Sequence, residues 1–244
     1  MSGVKRRSWG RALDRVFGRR YALVALCSAL VFGWAGWQVA AHGAVRGFDE
    51  RWGRDVAASA VPGPLAQFFA DLGNTVVALP VLLAAAGWAW WRTRRGAGAE
   101  PGGAGRGGRA WVPPVAALGA LAAVPALVVP FKVWLDRPGQ PRMAAVHEGF
   151  FPSGHGATAA VAYGLVALLL LRAYAVRCGR PGKAAAPVAR VVAAGAGLLN
   201  AGVGLGLVRQ GYHWPLDVLG GWCLAGVLLP LWCAVCDRWG GRDV

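Results

Sequence analysis

Apolar residues in this chain fall into six blocks of 18 to 22 residues, at 21–41, 72–91, 111–131, 157–174, 188–207 and 215–236. Within each block the hydrophobic positions run continuously, with no polar stripe every three or four residues that would leave a face for water. A helix rises about 1.5 Å per residue, so blocks of this length match a hydrocarbon core roughly 30 Å thick. The pattern predicts an all-α polytopic membrane protein, a six-transmembrane-helix bundle. The first block lacks a small-residue cleavage site and five more blocks follow it, so it reads as a span rather than a signal peptide. The stretch at 42–70 is different. There Arg46, Asp49, Glu50, Arg51, Arg54 and Asp55 alternate with Phe48, Trp52 and Leu65, a mixture that suits a short interfacial helix or lip rather than a further crossing.

Composition agrees with a membrane protein and excludes an ordinary soluble domain, since 56% of residues are hydrophobic and only 15% charged. A net charge of +15 would by itself admit a nucleic-acid partner, but its placement points elsewhere. Segments 1–20, 92–110, 172–190 and 237–244 hold 19 of the 26 Lys and Arg residues, and the alternate loops hold only Arg46, Arg51, Arg54, Lys132, Arg137, Arg142 and Arg209. This positive-inside asymmetry puts both N- and C-termini in the cytoplasm. The chain divides into a basic N-terminal segment at 1–20, a membrane domain at 21–236 and a short tail at 237–244. The bilayer, with its anionic headgroups, is the partner implied, and no nucleic acid is. The dominance of Arg (23) over Lys (3), together with richness in Ala and Gly, points to a GC-rich bacterial genome, hence a bacterial cytoplasmic membrane.

Several motifs carry no chemistry in this setting. Gly103, Gly105 and Gly108 have dinucleotide-fingerprint spacing, but no strand precedes them. Cys233 and Cys236 are two residues apart without a second Cys or His pair, so they read as small apolar side chains of a span. The 13 tryptophans cluster near span ends, as headgroup-level anchors do. Gly202 and Gly206, four apart, provide a surface for close helix packing. His147 and Glu148 read as the rim of a site, and His42 and Asp71 have no identifiable partner.

Two short stretches stand apart. Pro152-Ser153-Gly154-His155 precedes the fourth block, and His213-Trp214-Pro215-Leu216-Asp217 opens the sixth. With the N-terminus inside, Lys132 at the end of the third block, His155 and His213 all face the outer compartment. The N-termini of two helices point there too, and their unpaired N–H groups and dipoles favour an anion, above all a phosphate. Ser153 reads equally well as an N-cap, Pro215 as a first-turn proline and Asp217 as a dipole partner. A pair of histidines at one membrane depth, with Lys132 and Asp217 in reach, points to acid/base and nucleophilic chemistry.

These two stretches, with His213 continuing through Val218-Leu219-Gly220-Gly221, resemble the second and third motifs of the type 2 phosphatidic acid phosphatase superfamily. That group includes lipid phosphatases, undecaprenyl pyrophosphate phosphatases and the soluble vanadate haloperoxidases. The resemblance extends over about residues 65–236. It implies a metal-independent phosphatase without a cofactor, acting on a membrane phospholipid or polyprenyl phosphate at the extracytoplasmic side. His213 would form a phosphohistidine, Asp217 would hold its tautomer, and His155 would serve as acid and then base. Ser153, the Gly154 N–H and Lys132 would bind phosphate oxygens.

The chain departs from the family pattern at two arginines. The first motif is a Lys followed after six residues by Arg-Pro; here Gly139-Gln140 occupy that place and Arg137-Pro138 come earlier. The third motif opens with Ser-Arg six residues before its histidine, where this chain has Gly206-Leu207. Arg137, Arg142 and Arg209 are the expected substitutes on the phosphate, although Arg137 can instead pair with Asp136 and Arg209 can anchor the sixth span. The missing arginines leave an alternative open, a degenerate relative that binds phospholipid headgroups without turnover. A transporter fits less well, because the cluster sits at one face rather than at midplane.

Overall fold

The computed structural model describes residues 3–97, 109–178 and 185–239. Eight α-helices follow in order among them: α1 (Gly3–Ala40), α2 (Ala44–Ala57), α3 (Gly63–Asp71), α4 (Thr75–Ala97), α5 (Val112–Leu135), α6 (Gly154–Cys178), α7 (Ala185–Arg209) and α8 (Pro215–Trp239). A short 3₁₀ turn, Pro141–Met143, interrupts the loop between α5 and α6. Six segments are long and apolar enough to cross a membrane: Gly18–Ala40, Thr75–Arg95, Val112–Leu135, Gly154–Tyr174, Ala186–Arg209 and Pro215–Trp239. The protein is an all-helical, multi-pass membrane protein, as the hydrophobic blocks predict. The fingerprint glycines at 103–108 lie outside the described residues.

The boundaries differ from the sequence reading in three places. The first helix is continuous back to Gly3. The 42–70 stretch forms two short helices rather than one, joined by residues 58–62. Finally, α6 begins at Gly154, so His155 stands in its first turn instead of ahead of it. The reason is Ser153, whose Oγ accepts the Gly156 N–H at 3.0 Å and so starts the helix one turn early.

Burial decides which helices are central. Two-thirds (67%) of the α6 span is buried, against 17% for α1. Large side chains on α1 such as Leu23, Leu26 and Leu30 are exposed, as expected where the surroundings are acyl chains. Helix α6 packs against α4, α5, α7 and α8, while α1 covers α8 and α3 covers α7. Its small residues Ala157, Ala159, Ala160 and Ala162 are buried and let neighbours come close. A Cβ on Gly221 of α8 would stand 2.7 Å from the Ala157 nitrogen and 2.8 Å from the Ser153 carbonyl oxygen. Only glycine allows the heads of α6 and α8 to meet this closely. A Cβ on Gly206 would likewise lie 2.5 Å from the Ala66 carbonyl oxygen, so the Gly202/Gly206 face receives α3.

The far end of the bundle is a belt of cations and aromatics. Arg94 and Arg95 lie over Trp90 and Trp91 at 4.4 and 4.2 Å, and Arg172 pairs with Asp237 beside Trp232. Cys233 and Cys236 are buried in the apolar core.

Candidate active site

At the opposite end, the loop from 136 to 153 and the turn at 210–214 are tied to each other. Helix α5 ends at Leu135, and the left-handed φ of 38° at the capping Asp136 turns the chain back. Gln140 Nε2 donates to the His213 carbonyl at 2.7 Å, and Trp214 Nε1 donates to the Pro138 carbonyl at 2.9 Å. The Ser153 N–H donates to the Asp217 carbonyl at 2.8 Å, joining the two histidine motifs directly. Residues more than 60 apart in sequence are thus fixed by one backbone and two side-chain hydrogen bonds.

A cavity of about 360 Å³ results, lined among others by Lys132, Glu148, Asn74, His155, Tyr212 and His213. The two imidazole rings are 6.3 Å apart, centre to centre. His213 Nδ1 lies 3.5 Å from Asp217 Oδ2, slightly long for a hydrogen bond, and among the described residues this buried nitrogen has no other partner. With Nδ1 turned to the carboxylate, Nε2 is the nitrogen left for the cavity.

Asp217 is itself held on both oxygens. Its Oδ2 accepts the Trp214 N–H at 2.9 Å, and its Oδ1 accepts Arg137 Nη1 at 2.6 Å. Arg137 Nη2 donates to Asp49 Oδ2 at 2.5 Å, and Asp49 Oδ1 accepts the Leu216 N–H at 2.7 Å. Burial, with the charge of Asp217 nearby, holds the Asp49 carboxyl above the ordinary carboxylate range, and Arg137 and the Leu216 N–H offset this only in part. Burial opposes the Arg137 charge, yet Asp217 and Asp49 keep its proton held more tightly than usual.

His155 is arranged differently. It is exposed to the cavity, and its Nε2 lies 2.8 Å from Asn74 Oδ1. Asn74 Nδ2 donates to Asp71 Oδ1 at 3.1 Å, and Gln67 Nε2 donates to the same oxygen at 2.8 Å. Tyr212 donates its hydroxyl to Gln67 Oε1 at 2.8 Å. Because the Asp71 carboxylate can only accept, Asn74 must present its amide hydrogen to Asp71 and its oxygen to His155. His155 Nε2 therefore carries a hydrogen, and Nδ1 is the nitrogen free to exchange a proton.

Of the expected site residues, the structure brings Lys132, His155 and His213 to one cavity, with Asp217 directly behind. Gly154 lines an adjoining groove. Ser153 is fully buried and its Oγ is engaged as a cap. None of the three arginines lines the cavity. Arg137 is 1% exposed and pairs with Asp49 and Asp217 rather than Asp136. Arg142 donates to the carbonyl and side-chain oxygens of Gln210, at 3.1 and 2.7 Å, and lies over Tyr212. Arg209 donates to the Val61 and Ala57 carbonyls, at 2.9 and 2.7 Å, pinning the α2–α3 connection. Asp49, Gln67, Asp71 and Asn74 escaped the sequence reading as site residues. The only signal for them is polar residues before and at the start of the second predicted span, and it does not say which of these turn toward the site.

Two histidines heading adjacent membrane helices, one backed by a buried carboxylate, with a lysine across the cavity, define a membrane phosphatase. The chain belongs to the PAP2 superfamily, which it matches over residues 113–240. Its fold is similar to the crystal structure of the first transmembrane PAP2-type phosphatidylglycerolphosphate phosphatase from Bacillus subtilis. The TM-score is 0.69 at 22% identity, covering 89% of this chain and 98% of that one. No curated protein matches the sequence. Asp49, Asp71 and Asn74 all precede the segment that matches the family.

Proposed function

We propose that the protein is an integral membrane lipid phosphatase that cleaves a phosphate or pyrophosphate ester at the outer leaflet through a phosphohistidine. The observation that carries this reading is a second, larger space. An apolar groove of about 780 Å³ runs between α4, α5 and α6, past Leu79, Leu83, Leu118, Leu121 and Val128. It meets the polar cavity at Asn74, Lys132, Glu148 and His155. A molecule with a phosphate at one end and an acyl or prenyl chain at the other fits this pair of spaces. The match to a phosphatidylglycerolphosphate phosphatase fold supports the same substrate class. The outer-leaflet assignment rests on charge placement, because the cavity lies at the end of α4 remote from Arg92, Arg94 and Arg95.

In this mechanism His213 Nε2 attacks phosphorus and the bond to the ester oxygen breaks. His155, doubly protonated at that point, gives its Nδ1 proton to the leaving oxygen while Nε2–H stays on Asn74. Asp217 keeps the hydrogen of His213 on Nδ1 and offsets the positive charge the ring acquires. Water then attacks phosphorus, His155 Nδ1 takes its proton, the P–N bond breaks and inorganic phosphate leaves. Lys132 and the dipoles of α6 and α8 stabilise the equatorial oxygens.

Phosphate release from phosphatidic acid, phosphatidylglycerol phosphate and a polyprenyl pyrophosphate by the purified protein in mixed micelles tests this reading. Turnover of at least one lipid is expected, with a labelled histidine trapped on rapid quench and lost in His213→Ala. A His213→Ala enzyme as active as wild type, or no turnover on any of these lipids, would sink it.

A further inference from the structure

We infer that Asp49, on the interfacial helix α2, is a positioning residue for the nucleophile, acting through Arg137 and Asp217. This rests on the proposed phosphohistidine chemistry and extends it to a part of the chain that precedes the family-matched segment. The argument begins with the charges around His213. Arg137 and Asp217 are buried together, with Nη1 and Oδ1 only 2.6 Å apart. An arginine this close draws the carboxylate toward itself and cancels its charge, leaving little with which to offset a positive imidazole. Asp49 supplies the second carboxylate. It takes the other Nη of the same guanidinium at 2.5 Å and is 3% exposed. With both carboxylates ionised, the buried trio carries one net negative charge behind His213, presented to the ring through Asp217.

Glu50 does not do the same. It lies 3.8 Å from Arg137 Nη2, but its Oε1 already accepts Arg46 Nε at 2.7 Å. Arg46 in turn donates to the Val39 carbonyl, which fixes that pair at the α1–α2 corner. Trp214, stacked 5.6 Å from Arg137, closes the fourth side.

The backbone makes the placement rigid. A Cβ on Gly53 would stand 2.7 Å from the Trp214 ring, so α2 rests directly on the His213 turn. Asp49 Oδ1 also caps the first turn of α8 from another helix by accepting the Leu216 N–H. The same carboxylate thus anchors the helix that bears Asp217 and balances the arginine that orients it. The neighbouring face of α2 exposes Phe48 and Trp52, as a helix lying along a membrane surface does. Seating of α2 at the surface and geometry at His213 are accordingly linked.

Asp49→Asn removes the charge at nearly constant shape; its amide oxygen can keep only one of the two donors, so its NH2 group faces either the Leu216 N–H or Arg137 Nη2. Phosphate release and quench-trapped phosphohistidine are measured on a lipid that wild type hydrolyses. The expected result is kcat lower by about 10- to 100-fold, with KM within about twofold and formation of the trapped intermediate slowed to match. On an Asp217→Asn background, Asp49→Asn is expected to cause no further loss, as coupled residues behave in a double-mutant cycle. Wild-type kcat in Asp49→Asn, or the full loss repeated on the Asp217→Asn background, overturns the inference. Should Asp49→Asn fail to fold because Arg137 is left unbalanced, Asp49→Asn with Arg137→Gln removes both charges. That folded double variant leaves Asp217 uncancelled and keeps the wild-type net charge, so its kcat is expected to lie within about tenfold of wild type, and a loss as large as that of Asp217→Asn overturns the inference. An inactive wild-type protein, or one indifferent to His213→Ala, instead defeats the phosphatase mechanism itself.

Discussion

The two histidines face one cavity but are supported in opposite ways. Behind His213 lies a dry chain of charges, Asp217, Arg137 and Asp49, each at most 3% exposed. Behind His155 lies a single amide, Asn74, which donates to the exposed Asp71, and Gln67 donates to the same carboxylate oxygen. The difference follows from what the proposed reaction asks of each ring. A nucleophile that becomes a positively charged phosphoramidate needs one fixed tautomer and a standing negative charge. An acid that must lose and regain a proton within each turnover needs orientation without a charge that would hold the proton too tightly, and it needs access to water.

The largest effect that tests this contrast comes from His155→Ala on two kinds of substrate. With a lipid ester, whose leaving alkoxide requires protonation, turnover should fall about 10²- to 10⁴-fold. With an aryl phosphate such as p-nitrophenyl phosphate the first step needs no acid, so trapped phosphohistidine should accumulate above its wild-type level. Equal losses on both substrates, with no accumulation, would remove the division of labour between the rings.

Lys132→Met comes next. Lys132 is the one Lys or Arg among the residues lining the cavity, and a lost charge-assisted contact is worth about 1.5–3 kcal/mol, or about 10- to 100-fold in kcat/KM. The kinetics of phosphate release check it, and an unchanged kcat/KM would show that the phosphate sits elsewhere.

Asn74→Leu should have a smaller effect, about 5- to 10-fold in kcat from one neutral hydrogen bond of about 1 kcal/mol. Asp217→Asn, by contrast, should cost about as much as similar changes in catalytic triads, on the order of 10⁴. Similar losses for the two would contradict the asymmetry between amide and charged support. Measuring both on one lipid decides the matter.

The smallest catalytic effect is expected from Arg209→Ala. Because its guanidinium holds the Ala57 and Val61 carbonyls rather than the cavity, KM and kcat should stay within about twofold. Thermal stability should fall by about 1–2 kcal/mol as two carbonyls lose charged donors. A large rise in KM without loss of stability would return Arg209 to the phosphate.

Legibility in the sequence varied with the physics involved. Span number was readable because hydrocarbon thickness sets a minimum apolar length, and that length survives any arrangement of the helices. His155 and His213 were readable because each sits in a short motif at the start of a span and the two fall at one membrane depth. The arginines were not. Arg137, Arg142 and Arg209 differ by only a few residues from family positions, yet one is buried behind the nucleophile, one stacks on Tyr212 and one ties down a loop. Counting residues could not distinguish these fates, because a guanidinium reaches several ångströms in any direction its backbone allows. Asp49 was visible only as one of several acids on an amphipathic stretch, since the side of α2 that turns inward depends on Gly53 meeting Trp214.

The sequence by itself determined that six helices cross a membrane, that the basic residues gather on alternate loops, and that two histidine motifs head the fourth and sixth spans. Those properties are local, summed over windows of residues, and water or lipid enforces them without reference to the rest of the chain. Only the tertiary structure decided which charges pair. The placement of Asp49 on Arg137, of Arg137 on Asp217 and of Asn74 on His155 joins residues 80 or more apart. Such contacts form because buried charges and amides must find partners, and which partner is nearest is a property of the packed bundle alone.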